Sequence, residues 1–400
     1  MNAATPATNP KPAISHRDLV LTFLKLGTIG FGGGMAIIAL MEREFVGKRQ
    51  AMKTEEFLHG VGLGQLLGAF ATNTAFFIGF RLRGVVAGML SGVALMFPSF
   101  AAAILLSWLY FTYHALPALQ GVVGGLGPAV IALVVNAGWT MGRKALRSWP
   151  AILVAALAMV SGLCRLSPIA ALFMAGAFGL ALGKRRLSGG KSPSPGNASL
   201  PAKEKESVRS AFVPLLAAAQ GLSTAGAVSL WQLGFVFFKV GLVFFGGGFV
   251  LIPVLYRALV LNFHWLNAQE FIDGIALSNL TPGPIAVLAT FAGYRVLGLA
   301  GAFTATAGVF LPGVALTFIL CYQYERMKGG TKAQDFLAGV VPAAIGLILS
   351  AAVLLSRATL HSWQSFAWSA ACLLLLVRWR VPPVLVLALC ALVGAASMLR

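Results

Sequence analysis

Two runs of three glycines stand inside apolar segments of this chain: Phe31-Gly32-Gly33-Gly34 and Phe245-Gly246-Gly247-Gly248. Each glycine weakens a helix by roughly 1 kcal/mol relative to alanine. In lipid, the backbone groups freed by a break need partners inside the protein or in a wet cavity. A triplet at such depth implies either very close helix packing or an interrupted helix lining a site. A second candidate break, Asn279-Leu280-Thr281-Pro282-Gly283-Pro284, lies in another apolar segment. Neither proline can donate a backbone hydrogen bond. The helix start downstream would offer free N–H groups and a positive dipole end, which suits an anion; an ordinary proline kink is the competing reading. The corresponding first-half residues, Gln65 to Phe70, carry Gly68-Ala69-Phe70 in place of the prolines. A break there is expected to be weaker or missing, and the two halves functionally unequal.

Charged residues near these breaks are few. Lys25 and Lys239 precede the two triplets at matched positions. An intramembrane lysine is costly and suggests a function, here attraction of an oxyanion, with snorkelling to the surface as the alternative. Arg43, Arg81, Arg257 and Arg295 fall at the ends of apolar segments, where they either anchor the chain at the interface or gate and attract an anion through paired N–H groups. Glu56, His59, Glu270 and Asp273 are the titratable candidates for proton coupling. Their competing role is to balance helix dipoles. The four cysteines and five histidines are dispersed, so neither a metal site nor a disulfide framework is expected. Neither a Ser/His/Asp arrangement nor a phosphate-cradling loop is present. The residues therefore point away from an enzyme, a cofactor or an ATP-driven pump.

The elements that must hold these residues are membrane helices. Of 400 residues, 58% are hydrophobic and 10% charged, against about 25% charged in soluble proteins. The net charge of +19 sits largely in loops and a central linker, so orientation in a lipid bilayer explains it better than nucleic acid does. The expected fold is an all-α polytopic membrane protein of about 12–13 transmembrane helices, some of them broken. The first-half spans are read near 18–40, 57–80, 84–111, 121–141, 149–163 and 167–183. Their counterparts lie near 232–255, 271–294, 298–324, 335–356, 364–377 and 382–398.

An offset of 214 residues superimposes the halves. It matches Lys25 with Lys239, Arg43 with Arg257, Glu56 with Glu270, Arg81 with Arg295, Pro98 with Pro312 and Tyr110 with Tyr324. Chance apolar similarity would not hold such residues in one register, so the chain reads as an internal duplication. The organisation is a polar tail (1–16) without a cleavable signal peptide, a first repeat (17–183), a basic cytoplasmic linker (184–210), a candidate extra span (211–230) and a second repeat (231–400). Counting Lys and Arg on alternate loops gives ten against five in the first half and three against six in the second. This reversal indicates opposite insertion of the two repeats, the usual build of secondary transporters, with a site at the repeat interface.

These motifs resemble one family. Lys239-Val240-Gly241 leading to Phe245-Gly246-Gly247-Gly248, with Pro253, Arg257, Glu270-Phe271, Gly274 and Thr281-Pro282-Gly283-Pro284, closely resembles the chromate ion transporter (CHR) family in its two-domain, long-chain form. Phe31-Gly32-Gly33-Gly34, Met41 and Glu56-Phe57-Leu58-His59 look like that family's first-half domain. The resemblance implies a multi-pass inner-membrane protein exporting chromate from the cytoplasm, with protons as candidate coupling ions and sulfate as a competing substrate. Import of sulfate or another oxyanion is the alternative reading; a membrane-embedded enzyme or lipid-handling protein is a weaker one. One departure is Gly68-Ala69-Phe70, where the family pattern leads to an expectation of Pro-Gly-Pro.

Overall fold

The computed structural model describes residues 14–30, 34–113, 117–182, 228–244, 248–323, 331–360 and 362–398. The linker 184–210, most of the candidate span 211–230, and Gly32, Gly33, Gly246 and Gly247 lie outside them. The first half contains α1 (His16–Ile29), α2 (Gly34–Met41, continued by a π-helix, Glu42–Lys48), α3 (Thr54–Leu66), α4 (Phe70–Tyr113), α5 (Pro117–Ala145), α6 (Trp149–Leu163) and α7 (Pro168–Leu182). The second half contains α8 (Leu230–Leu242), α9 (Leu251–Leu255, between a 3-10 turn, Gly248–Val250, and a π-helix, Tyr256–Asn262), α10 (Ala268–Leu280), α11 (Leu288–Gln323, after a 3-10 turn, Ile285–Val287), α12 (Thr331–Thr359), α13 (Trp363–Val377) and α14 (Pro383–Met398). Most boundaries recur at the 214-residue offset. Even the π-helices do so, although well under 1% of residues in proteins adopt that form. Local signals set several starts. Ser15 caps α1 reciprocally with Asp18, Asn267 caps α10 with Glu270, and Ser148 and Ser362 cap α6 and α13.

Three of the expected spans, 18–40, 57–80 and 271–294, are instead helical hairpins. Arg81 Nε donates to Glu56 Oε1 at 2.5 Å, and Arg295 Nε to Glu270 Oε1 at 3.0 Å. In one straight helix each pair would stand about 37 Å apart. The chain therefore folds back between α3 and α4, and again between α10 and α11. Phe23 stacks on Phe45 at 5.0 Å, and Arg49 donates to the Thr22 hydroxyl at 2.8 Å. Thus α1, ending at Ile29, and α2, starting at Gly34, also form a hairpin. Arms of 13 or 14 residues reach only about 20 Å, less than the roughly 30 Å hydrocarbon core. This overturns the readings of 18–40 and 57–80, and of 271–294, as single spans. It also corrects the charge tally, which set loops 42–53 and 81–84 on opposite sides although Glu56 and Arg81 touch.

The long helices α4 and α11 each turn back once more. Arg83 and Gly84, like Leu297 and Gly298, leave helical geometry, with Gly84 at φ +81° and Gly298 at φ +58°. Beyond the turn, Thr290 and Thr306 share a 2.8 Å hydrogen bond, and side chains at Gly79 and Gly293 would collide with the Ala87 and Gly301 carbonyls of the returning limb. The limbs 85–113 and 299–323 remain long enough to cross a bilayer, as do Gly121–Arg143 in α5 and Ala338–Thr359 in α12. The limb 85–113 spans about 42 Å. Its start lies by the Glu56–Arg81 pair, and Tyr110 near its other end bonds Asp273, one turn from Glu270. The hairpin bases of the two halves thus stand at opposite ends of this limb. The remaining helices pack crosswise: α6 and α7 of the first half lie on α12, and α13 and α14 of the second lie on α5.

Cysteines placed at 23 and 45 in a background lacking the native four are expected to be joined by a short bifunctional thiol reagent. A continuous first span would hold them about 33 Å apart and leave them unlinked on a mass-shift gel.

Candidate functional site

The hairpin tips converge where the halves meet. In the first half, α3 ends at Leu66 and α4 begins at Phe70. The expectation of a weak or absent break is therefore overturned. Gly68 makes the turn at φ +87°, a conformation that needs no proline but disfavours a Cβ. Gly68 also lies directly on the Phe244 carbonyl, beside the second glycine triplet. The buried Asn73 holds this tip by donating to the Leu67 carbonyl at 3.2 Å.

The second tip breaks at Thr281 to Pro284, where Thr281 Oγ1 donates to the Ser278 carbonyl at 2.9 Å and Asn279 Nδ2 to the Ile275 carbonyl at 2.8 Å. Gly283 takes φ +129°. Ser99, just past Pro98 on the long limb of α4, donates its hydroxyl to the Pro282 carbonyl and packs on Gly283. The matched residue past Pro312, Gly313, lies near Asn73 and the Leu67 carbonyl of the first tip. Each tip therefore rests on the long limb of the other half. The last glycine of each triplet seats the residue that opens the return arm: Gly34 lies on Phe70, and Gly248 on Ile285. Two helix starts, α4 and the turn leading into α11, face this junction. Beside the first, the Thr72 hydroxyl is buried without a hydrogen-bond partner. Such an orphan is rare in a native interior, and its hydroxyl suits a ligand oxygen or water.

The remaining candidates are distributed differently. Gly34, Gly248, Asn279, Thr281, Pro282, Gly283 and Pro284 sit at or beside the junction. Gln65 lies at the end of α3, and its side chain is outside the described residues. Lys25 is exposed on α1, whereas Lys239 is half-buried with Nζ 4.2 Å from the Phe235 ring centre. Arg81 and Arg295 bind the glutamates at the hairpin bases, and Arg295 also lies over Phe111. Arg43 is exposed; Arg257 shares a small crevice with Arg165 and Tyr256. Sequence reasoning missed Ser99 and Gly313, whose signal was their shared place after the matched prolines. It also missed the bond from Tyr110 to Asp273, which only the crossing of the two halves creates.

The architecture is that of a polytopic helical membrane protein with interrupted helices meeting at its centre. The Chromate transporter family model matches residues 17–180 and 231–395, and the chain belongs to that family, whose members are transport proteins of the cell membrane and not enzymes. Among its relatives, the probable chromate transport protein of Synechococcus elongatus is 32% identical over 89% of this chain and 88% of its own. The chromate transport protein of Cupriavidus metallidurans is 32% identical over 88% of this chain and 86% of its own, and that of Pseudomonas aeruginosa 30% identical over 89% and 85%. No solved structure matches the chain.

Gly68→Ala is expected to lower the thermal stability of the detergent-solubilised protein by about 1–3 kcal/mol. Gly84→Ala shares the positive φ but has open space around it, and should cost less. Equal melting shifts would contradict close seating of the first tip on Phe244.

Proposed function

We propose that this protein exports chromate from the cytoplasm across the inner membrane by alternating access, with protons as the coupling ion. The observation that carries this reading is the reciprocal seating of each hairpin tip on the long limb of the other half. A site built across two related halves opens to either face when one half rocks against the other. The matched boundaries, the double family match and the hairpin bases at opposite ends support two oppositely inserted repeats.

Basic residues give the orientation. Arg17, Arg43, Lys48, Arg49, Lys53, Arg83, Arg143 and Arg147 gather at the end holding the Glu56–Arg81 pair, whereas Arg165, Arg257 and Arg357 lie toward the other. The positive-inside rule places the first end in the cytoplasm. Leu182 and Leu230 stand at opposite ends, in keeping with the extra span expected at 211–230.

At the junction, the starts of α4 and α11 direct positive dipole ends toward a tetrahedral oxyanion. Thr72 and the polar backbone around Gln65, Gly68, Asn279 and Thr281–Pro284 supply hydrogen bonds, beside Gly34 and Gly248. Lys25, Lys239, Arg43 and Arg257 attract the anion toward it. The relatives named for chromate transport favour chromate as that oxyanion.

Cells expressing the protein should accumulate less chromate than controls, and Pro282→Ala with Pro284→Ala should cut efflux about tenfold or more by mending the broken helix. Raised cytoplasmic sulfate with unchanged chromate would indicate the import reading instead. Wild-type efflux in the double variant would reject the role of the interrupted helix.

A further inference from the structure

A cavity of about 620 Å³ lies at the end of the molecule away from Arg81, lined by Tyr110, Gln269, Glu270, Asp273, Tyr294 and Arg295 among others. Asp273 in its wall is 0% exposed. Its Oδ2 accepts from Tyr110 Oη at 2.7 Å, and its Oδ1 from Gln269 Nε2 at 2.8 Å. Both donors are neutral. Its nearest acidic neighbour, Glu270, is taken by Arg295 at 3.0 Å.

The other elements packed on α10 bring no direct counter-charge. α5 and α12 contribute Val123, Gly124 and Thr359 to the cavity, while the exposed Arg357 of α12 does not line it. α14 carries no charged residue, and Arg257 of the adjoining π-helix faces a separate crevice. A buried carboxylate without a cation is costly and is relieved by taking up a proton. Both cavity walls lead to the junction. Thr281 lies eight residues along α10 from Asp273, and Ser99 eleven residues back from Tyr110 along α4, about 12 and 16 Å deeper.

We infer that Asp273 is the proton-binding group that decides whether an oxyanion can pass between the junction and this face. The inference rests on the oxyanion-transport reading. Ionised, Asp273 places an uncompensated negative charge beside the path and repels a dianion. A proton from the solvent in the cavity converts the carboxylate to a carboxyl, with no other bond made or broken, and removes that repulsion. Tyr110 favours the ionised form by donating to it. As it belongs to the first half and Asp273 to the second, the bond between them also latches the halves together at this end. The first half carries His59 at the matched position, so the gate belongs to one face alone.

The test is chromate flux in sealed liposomes at clamped potential, with pH varied only on the Asp273 face. Wild-type flux is expected to fall as pH rises, approaching about tenfold per unit once the carboxyl titrates. Asp273→Asn should keep a high flux with a flat profile, and Tyr110→Phe should move the fall to higher pH. A wild type that moves chromate with a pH profile unchanged in Asp273→Asn overturns this inference alone; a wild type that moves none at any pH overturns the transport reading with it. Should Asp273→Asn fail to reach the bilayer, the Tyr110→Phe profile decides, and an unshifted one counts against the proposal.

Discussion

An interrupted helix cannot leave its free backbone groups in hydrocarbon. This chain has interruptions after α1, α3, α8 and α10, and its packing follows from the need to shelter them. The breaks lie at the tips of short arms, so they reach the middle of the molecule and not its surface. There the breaks after α3 and α10 are covered: Gly68 lies on the Phe244 carbonyl, the Pro282 carbonyl accepts from Ser99, and the Leu67 carbonyl accepts from Asn73. The long limb on which each of these two tips rests belongs to the other half: Ser99 of α4 for the second tip and Gly313 of α11 for the first. The crosswise packing of α6 and α7 on α12, and of α13 and α14 on α5, repeats that dependence at the periphery.

The halves are alike in plan and unlike in detail. Pro282 and Pro284 force the second break by removing donors, whereas the first break relies on the backbone freedom of Gly68. Ser99 bonds the tip it covers; its counterpart Gly313 only packs. Asp273 and its cavity have His59 at the matched place. These differences make the two faces unequal while the shared scaffold is kept.

Much of the plan was legible in the residues. The offset of 214, carried by rare Lys, Arg and Pro, anticipated the recurrence of helix boundaries and of the π-helices. The glycine triplets and Thr281–Pro284 marked three of the four breaks. The fold-back was missed because hydropathy scores a span of 24 apolar residues and two antiparallel arms of 13 alike. The distinguishing signal was present in charge: Glu56 and Arg81, and Glu270 and Arg295, each stand 25 residues apart with opposite signs, a separation that only a hairpin closes. The break at Gly68 was missed because it depends on a single φ value, which no composition reveals. The contacts of Ser99 and Tyr110 with the second half depend on how two distant segments cross, and only tertiary packing supplies that.

Opposite entry of the two hairpin pairs is the claim from which the central junction and its two-faced access follow. It is tested most directly by labelling single cysteines, at position 53 or 267 in a background without native cysteines, using a membrane-impermeant maleimide on sealed vesicles of known orientation. The position-53 cysteine should react only in inside-out vesicles and the position-267 cysteine only in right-side-out ones. Reaction of both from the same face would contradict the account.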